Sequence, residues 1–313
     1  MQIKQIVYKI QDHMLLGSIY DNIIKKTRYR DNRLSFLYNV MMGQKHRMLY
    51  YKMLKKKYLR DAVSNASWEN KKKSFNSDTI WFCWLQGLDN APEIVKVCYE
   101  ALKKNTERKN IILIDESNYS EYIQMPDYIL EKVNKGIISK AHFSDLIRLE
   151  LLIKYGGYWI DSTVLCTDDR LFSLIDENEL FMYSFYYFGF NPEIMELNNW
   201  FIYSTTNNNI LALVREMLYM YWKDYNRAVD YFVFHLFLTI ATEWYEDEYK
   251  KMPIVSQADA HVLATYIYDS FDSNKYEILK KCTGIHKLST RFDMQKCETE
   301  GTFYNEIIMK RNY

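Results

Sequence analysis

Short apolar runs alternate along this chain with segments whose apolar positions repeat at helical spacing. TIWFCWLQG (79–87) and NIILIDESN (110–118) predict buried strands, and PEIVKVCYEALKKN (92–105), between them, predicts a helix. A strand, a helix and a strand joined by short connections are typical of a parallel βαβ unit. The pattern therefore predicts an α/β fold.

The residues that follow these two strands are candidates for ligand contact. Gln86 and Gly87 follow the first strand, and Asp115 follows the second. A right-handed crossover would place all three at the carboxyl edge of the sheet, which is where open α/β folds bind ligands.

The most informative segment, HFSDLIRLELLIKYGGYWIDSTVLCT (142–167), predicts a helix, a stop and a strand. Asp145 and Arg148 lie one turn apart on the helix. Gly156–Gly157 supplies the positive φ that ends it. The buried strand that follows presents Asp161 at its end.

This arrangement suits a sugar nucleotide. A helical Asp and Arg one turn apart can hydrogen-bond sugar hydroxyls from two sides. A carboxylate on a rigid strand end can hold the hard cation that often clamps a diphosphate. An ordinary structural Asp–Arg pair beside a solvent-facing Asp would have the same spacing, so the spacing alone leaves both interpretations open.

Charge is unevenly distributed along the chain. Residues 1–75 contain 17 basic and 5 acidic side chains, whereas the remainder contains 24 and 35. Residues 1–60 have helical periodicity, and the polar stretch at 64–78 predicts a boundary. We therefore expect a basic helical N-terminal segment at 1–75 and a second domain at 76–313. The basic segment suits an anionic membrane surface, or it pairs with the acidic body of the same chain.

Composition excludes several classes of protein. With 48% hydrophobic and 26% charged residues, the chain is not disordered. Its five cysteines form neither a C-x-x-C pair nor a zinc spacing, which favours a reducing compartment. The N-terminus lacks the features of a signal peptide, and the longest apolar run, 231–241, is too short to cross a bilayer. We expect a cytoplasmic protein, and no nucleic-acid partner, because the basic residues accompany no recognition motif.

The motifs resemble those of a known family. The string SDLIRLELLIKYGGYWID resembles the S-D-x-x-R … G-G-x-Y/W-x-D block of glycosyltransferases with a sugar-binding DXD region. More closely, the chain is similar to bacterial capsular polysaccharide synthesis proteins in IWFCWLQGLDNAPEIVKVC (80–98), SDLIRLELLIKYGGYWIDSTV (144–164), NNWFIYS (198–204), DYFVFHLF (230–237) and IHKLS (285–289). The resemblance implies a GT-A-type, Rossmann-like mixed sheet flanked by helices, with a helical C-terminal part.

The resemblance also implies roles for individual residues. Asp145 and Arg148 match positions that bind the donor sugar and serve catalysis. The nucleotide would stack on Trp84 and meet the backbone of Leu85, Gln86 and Gly87, and its diphosphate would meet His286 and Lys287. Asp161 and Asp230 are further catalytic candidates. His235 is either another or an ordinary core histidine. Asp230, Asn199 and Trp200 are candidates for facing the acceptor.

The metal-binding motif departs from the family's broad pattern. Asp161 matches its first carboxylate, but Thr163 stands where the second Asp would be and offers only a neutral oxygen. The resemblance thus implies a divalent cation, Mn²⁺ or Mg²⁺, at Asp161 and Thr163, and the substitution leaves this dependence open.

The expected activity is transfer of a sugar from a nucleotide-diphosphate sugar, UDP-linked and with retention, to a growing capsular or surface polysaccharide. The acceptor would be a polyprenyl-diphosphate-linked saccharide, which the basic segment would approach at the inner face of the plasma membrane. Two alternatives stay open: a host-modifying glycosyltransferase and a non-catalytic relative that binds sugar nucleotides.

Overall fold

The computed structural model describes residues 32–66, 75–106, 109–185 and 196–313, with four single positions before residue 32 and backbone alone over 32–40. The chain divides into two compact units, residues 1–53 and 54–313. Most of the predicted basic segment before residue 32, and residues 67–74 of the polar stretch, lie outside the described residues. The boundary at residues 75 and 76 stays a prediction.

Helices account for much of the described chain. They are α1 (Asn32–Ala66), α2 (Glu93–Asn105), α3 (Tyr119–Tyr122), α4 (Asp127–Asn134), α5 (Lys140–Tyr155), α6 (Arg170–Ile175), α7 (Asn209–Asp224), α8 (Val233–Trp244), α9 (Glu246–Tyr249), α10 (Ala258–Thr265), α11 (Ser273–Cys282) and α12 (Met294–Cys297), with a 3₁₀ turn at Leu88–Asn90 and a π-helical turn at Asn305–Met309. Within these ranges, none combines the length and apolar character that crossing a lipid bilayer requires.

Residues 54–313 are built around a mixed sheet of five strands. The strands are β1 (Thr79–Cys83), β2 (Asn110–Ile114), β3 (Gly157–Asp161), β5 (Leu180–Ser184) and β6 (Leu197–Ser204), in the order β2-β1-β3-β6-β5, and β4 (Val164–Cys166) pairs separately with β7 (Ile285–Lys287). The parallel pairing of β1 and β2 across α2 confirms the predicted βαβ unit. The predicted α/β class, a mixed sheet flanked by helices, is also confirmed.

The pairing register brings several strand ends to one edge of the sheet. β1 also pairs in parallel with β3, with Cys83 opposite Asp161. β6 runs antiparallel to β3, with Ile160 opposite Phe201. The first residues of β6 therefore lie beside the carboxyl ends of β1 and β3, which is the edge predicted to bind ligand.

Two consecutive glycines allow α5 to lead directly into β3. Gly156 has φ 67° and Gly157 has φ 91°, values that glycine adopts at little cost because it has no Cβ. A Cβ on Gly157 would lie 2.2 Å from the carbonyl oxygen of Thr79. The predicted stop is thus confirmed, and the close approach sets β3 against β1 with Asp161 at the edge.

The end of α1, from residue 54 onward, belongs to the larger unit and contacts acidic residues within it. Tyr58 is buried and donates to Asp224 Oδ2 at 2.9 Å. Lys57 pairs with the same carboxylate at 2.7 Å, and Lys55 pairs with Glu243 at 2.5 Å. These two lysines of the basic segment pair with the acidic body of the same chain, as one of the two explanations for the charge asymmetry expects.

Candidate functional site

A cleft of about 500 Å³ opens at the carboxyl edge of β1 and β3, a volume within the range of small-molecule sites. Its wall comes from the turn after β1, the first turns of α5, the end of β3 with its following loop, the start of β6, the region before and within α8, and the end of β7. Because segments distant in sequence converge here, the cleft depends on the whole sheet.

Most of the predicted site residues line this cleft. They are Trp84, Leu85, Gln86, Asp145, Arg148, Asp161, Thr163 and Lys287, together with the acceptor-side candidates Asn199 and Trp200 and the catalytic candidate His235. His235 also lines a second cavity of about 470 Å³.

His286 is not brought into the cleft. Side chains alternate between the two faces of a strand, so His286 and Lys287 of β7 point in opposite directions. His286 is fully buried, with Nε2 3.3 Å from Thr167 Oγ1. Burial lowers its pKa to about 4, so the ring is neutral near pH 7. Its side chain offers neither access nor positive charge to a diphosphate, and of this pair only Lys287 reaches the cleft.

Three other residues at this edge are held by their own turns and do not line the cleft. Gly87 has φ 79° and closes the turn after β1. Asp115 Oδ1 accepts the backbone N–H of Ser117 at 2.7 Å. Asp230, the predicted further catalytic residue, accepts the backbone N–H of Phe232 at 2.8 Å, just before α8 begins.

Arg148 lies at the centre of the cleft's charged network. Its side chain is only 4% exposed. Nη2 lies 3.2 Å from Asp161 Oδ1, and Nη1 lies 3.1 Å from Asp145 Oδ1. The guanidinium carbon stands 4.7 Å from the centre of the Trp159 ring, a distance at which cation and ring attract. One buried arginine therefore joins the helix carboxylate to the strand carboxylate.

Asp161 is held on both of its oxygens. Oδ1 also accepts from Trp159 Nε1 at 3.0 Å, and Oδ2 lies 3.1 Å from Lys287 Nζ. Burial raises the pKa of Asp161, but the charges of Lys287 and Arg148 and the hydrogen bonds from Trp159 and Lys287 outweigh it, so the pKa is lowered. The carboxylate therefore stays ionised.

At Asp145 the effect of burial on the pKa outweighs that of the nearby charges, the reverse of Asp161. Asn199 Nδ2 donates to its Oδ1 at 2.9 Å. Burial raises the pKa of Asp145 to about 6, and the charge of Arg148 compensates only in part. Near neutral pH the group is mostly ionised, but it takes up a proton far more readily than an exposed aspartate.

This raised pKa predicts a pH-dependent stability difference between the wild type and Asp145→Asn. Between about pH 4 and pH 6 the folded protein keeps a proton that the unfolded chain releases, so this contribution is present at low pH and lost as pH rises through 6. The free energy of unfolding of the wild type, relative to Asp145→Asn, should fall by up to about 3 kcal/mol over that range and then level off.

Urea unfolding of both proteins in steps between about pH 4 and pH 7 measures this difference. The other titrating groups are common to the two proteins and largely cancel in the comparison. A difference that stays flat, or that grows in favour of the wild type as pH rises, would contradict the assignment of a raised pKa to Asp145.

Several buried donors in the cleft have no acceptor within the described part of the chain. They are Trp84 Nε1, Asn198 Nδ2, Trp200 Nε1 and two nitrogens of Arg148, Nε and Nη1, the latter because its contact with Asp145 is an ion pair without hydrogen-bond geometry. Buried N–H groups are almost always paired in folded proteins. A ligand rich in acceptor oxygens would pair with those of these donors that it reaches.

The residues around Asp161 do not fit the expected divalent cation. Mg²⁺ requires near-octahedral oxygen ligands, and in nucleotide sites it is held through one or two carboxylates together with substrate phosphates. Here Lys287 Nζ contacts Asp161 Oδ2 and lies 2.6 Å from Thr163 Oγ1. Across the described ranges, no three His, Cys, Asp or Glu side chains come together in a way that could hold a metal ion.

The sequence contained signals for two site residues that were not singled out. Trp159 lies two residues before Asp161 on the same strand and therefore on the same face. His142 lies three residues before Asp145 on α5, and its Nε2 is 3.1 Å from the carbonyl oxygen of Tyr231, another cleft residue. By contrast, nothing in the local pattern marks Asn198 as a cleft donor.

Comparison with known proteins bears on the family of the chain. No curated protein matches the chain. Among solved structures, the chain is similar to one titled "PaToxG Glycosyltransferase", at 15% sequence identity and a TM-score of 0.35, over 65% of this chain and 87% of that one. The family model described as "Capsular polysaccharide synthesis protein" matches residues 31–307. Since this match spans most of the sequence, the chain belongs to the capsular polysaccharide synthesis protein family.

Proposed function

We propose that the chain is a glycosyltransferase that binds a nucleotide-diphosphate sugar in the cleft and transfers the sugar to a hydroxyl of a growing capsular saccharide. A UDP-linked donor, retention at the anomeric carbon and a polyprenyl-diphosphate-linked acceptor at the inner face of the membrane are the finer parts of this proposal. They derive from the resemblance.

The observation that carries the proposal is the set of unpaired buried donors around a network of two carboxylates and two cations. A sugar nucleotide carries acceptor oxygens on its base, its diphosphate and its sugar hydroxyls. The hydroxyls can also donate to Asp145 and Asp161. Membership of a family named for capsular polysaccharide synthesis supports this choice over other oxygen-rich ligands.

In the proposed complex each part of the donor meets a different element. Asp145 and Arg148, one turn apart on α5, hold the sugar hydroxyls, because a carboxylate and a guanidinium give the strong charge-assisted hydrogen bonds. Trp84 stacks on the base. Lys287 meets the diphosphate and stabilises the negative charge that grows on it during departure.

Transfer with retention would take place on a single face of the sugar. The bond between the anomeric carbon and the diphosphate oxygen breaks, and the acceptor oxygen bonds to that carbon from the same side. The acceptor hydroxyl gives its proton to the departing phosphate, so the protein need supply no separate base. Its contribution is orientation and charge stabilisation, which together account for much of enzymatic catalysis.

The test is a thermal-shift panel of UDP, GDP, CMP and their common sugars, each with and without Mn²⁺. A ligand that binds the folded state raises its melting temperature according to occupancy. We expect stabilisation by one nucleotide family, and slow hydrolysis of its sugar nucleotide without acceptor. Binding without hydrolysis or transfer would favour the non-catalytic relative, and no stabilisation by any ligand would contradict the proposed donor site.

Trp84 provides a graded test of the nucleotide position. Stacking of a base on an aromatic side chain contributes about 1–3 kcal/mol. Trp84→Ala should therefore weaken binding of the stabilising nucleoside diphosphate by roughly tenfold or more, whereas Trp84→Phe should stay within about threefold. Calorimetric titration measures both, and Trp244→Ala, a change at a half-exposed tryptophan outside the cleft, is the control.

A further inference from the structure

The D-x-T motif at the end of β3 already has a cation between the side chains of its Asp and its Thr. Lys287 Nζ lies 3.1 Å from Asp161 Oδ2 and 2.6 Å from Thr163 Oγ1. These are the two positions from which a D-x-D motif would hold a divalent ion. The ammonium group therefore occupies the place in which a metal is expected.

Backbone pairing fixes this ammonium group in position. β7 pairs with β4, with Lys287 opposite Val164, and the N–H of Leu288 donates to the carbonyl oxygen of Thr163 at 2.8 Å. The lysine thus comes from a strand bonded directly to the segment that follows Asp161. Its side chain is 18% exposed and Thr163 is buried, so the contact is built into the fold.

Lys287 still has capacity for a ligand. A lysine ammonium has three N–H donors, and its contacts in the described part of the chain, Asp161 and Thr163, use two of them. The third can reach a phosphate oxygen, because Lys287 lines the cleft.

The two carboxylates of the cleft are also matched by cations without a metal ion. Asp145 and Asp161 are matched by Arg148 and Lys287. A divalent ion bound to Asp161 and Thr163 would first have to displace Lys287 and would then lie beside its positive charge and that of Arg148. In the cleft without a nucleotide, such repulsion disfavours metal binding.

We infer that Lys287 takes the place of the divalent cation, so that this protein binds the donor diphosphate through a lysine and needs no metal ion. This inference rests on the proposed function, because it concerns how the same donor is held. It replaces the metal site expected at Asp161 and Thr163 with a cation supplied by the chain itself.

The first experiment titrates the full chain with UDP and with GDP by calorimetry, in EDTA and then in Mn²⁺ or Mg²⁺. We expect the tighter of the two to bind with the same affinity, within about threefold, in all three conditions. Binding that disappears in EDTA and returns with the metal would overturn the inference while leaving the proposed function intact. Absence of binding by either nucleotide in every condition would contradict both the proposed function and the inference.

Two substitutions then give opposite patterns for a lysine site and a metal site. Lys287→Met removes the charge but keeps much of the side chain, and should weaken nucleoside diphosphate binding by about thirtyfold, while binding of the nucleoside alone changes little. Asp161→Asn removes a metal ligand but leaves the ammonium group, so affinity should stay within about threefold or improve. A metal site requires the reverse order, and that result would overturn the inference.

Lys109→Met is the matched control. Lys109 is also a mostly buried lysine, 10% exposed, and it pairs with Asp78 and Asp176 outside the cleft. The Lys109→Met variant should be less stable than the wild type but should bind the nucleotide with the same affinity. Circular dichroism of each variant separates a folding defect from a binding defect. If Lys287→Met does not fold, Lys287→Gln and the EDTA titration of the wild type still decide between the two kinds of site.

Discussion

Replacing Arg148 with lysine is expected to reduce turnover of the sugar nucleotide by about 10²–10³-fold while the protein stays folded. Arginine at this position contacts Asp145 and Asp161 together and lies against the Trp159 ring. A lysine keeps the positive charge but lacks the planar guanidinium group, whose several N–H donors can contact two carboxylates and a ligand at the same time. We therefore attribute the expected loss of turnover to altered hydrogen-bond geometry. It is measured as kcat/KM for release of the nucleoside diphosphate.

The choice of lysine over alanine matters for interpretation. Removing one partner of a buried ion pair typically costs about 3–5 kcal/mol of stability, because the remaining charge has no counterpart. Arg148→Ala would leave both aspartates in that state and could lose activity simply by unfolding. Arg148→Lys keeps the compensating charge, so a loss of turnover can be assigned to the site.

Arg215→Lys is the control for this change. Arg215 is another buried arginine, on α7, and it pairs with Glu150 and Glu216 outside the cleft. The same substitution there should alter stability to a similar degree and leave turnover near the wild-type value. Near-normal turnover in Arg148→Lys, or an equal loss in Arg215→Lys, would contradict the assignment of Arg148 to the donor site.

Local pattern was sufficient to predict the core of the fold and to place Asp145, Arg148 and Asp161 on their elements. The βαβ unit, the glycine stop and the position of Asp161 follow from apolar runs, periodicity and the conformational freedom of glycine, which are properties of adjacent residues. Helical spacing places Asp145 and Arg148 one turn apart on α5 in the same way, whereas their assignment to the donor site came from the resemblance. These features require no knowledge of contacts distant in sequence.

The contact between Lys287 and Asp161 could not be predicted in this way. It joins residues 126 positions apart and depends on the register of β7 against β4. The alternation of side chains along a strand did carry one usable signal. If IHKLS formed a strand, His286 and Lys287 could not both face one ligand, but which of them faced it depended on the pairing partner.

The asymmetry between the two carboxylates, one with a raised and one with a lowered pKa, likewise depends on tertiary structure. Asp161 has two cations, Arg148 and Lys287, and the neutral donor Trp159 around it, whereas Asp145 is buried with a smaller compensation. The sequence shows two aspartates near an arginine and gives no indication which of them is better compensated.

Asp145→Asn is expected to lower turnover of the sugar nucleotide by about 10²–10³-fold while binding of the bare nucleoside diphosphate changes by less than about threefold. The proposed role of Asp145 is to accept hydrogen bonds from sugar hydroxyls, and an amide can provide only a neutral oxygen for them. Hydrogen bonds to a charged group contribute about 1.5–3 kcal/mol each, so the loss of one or two accounts for the expected decrease.

The bare nucleoside diphosphate lacks the sugar, so its affinity should be almost unaffected by Asp145→Asn. The informative result is therefore a large loss of turnover with little change in nucleotide affinity. Asp176→Asn, at a carboxylate that pairs with Lys109 outside the cleft, is the matched control and should leave both quantities unchanged. Equal losses of turnover and of nucleotide affinity in Asp145→Asn would instead place Asp145 against the nucleotide or indicate a collapsed cleft. Wild-type turnover would remove Asp145 from the donor site and leave its contact with Arg148 as a structural ion pair.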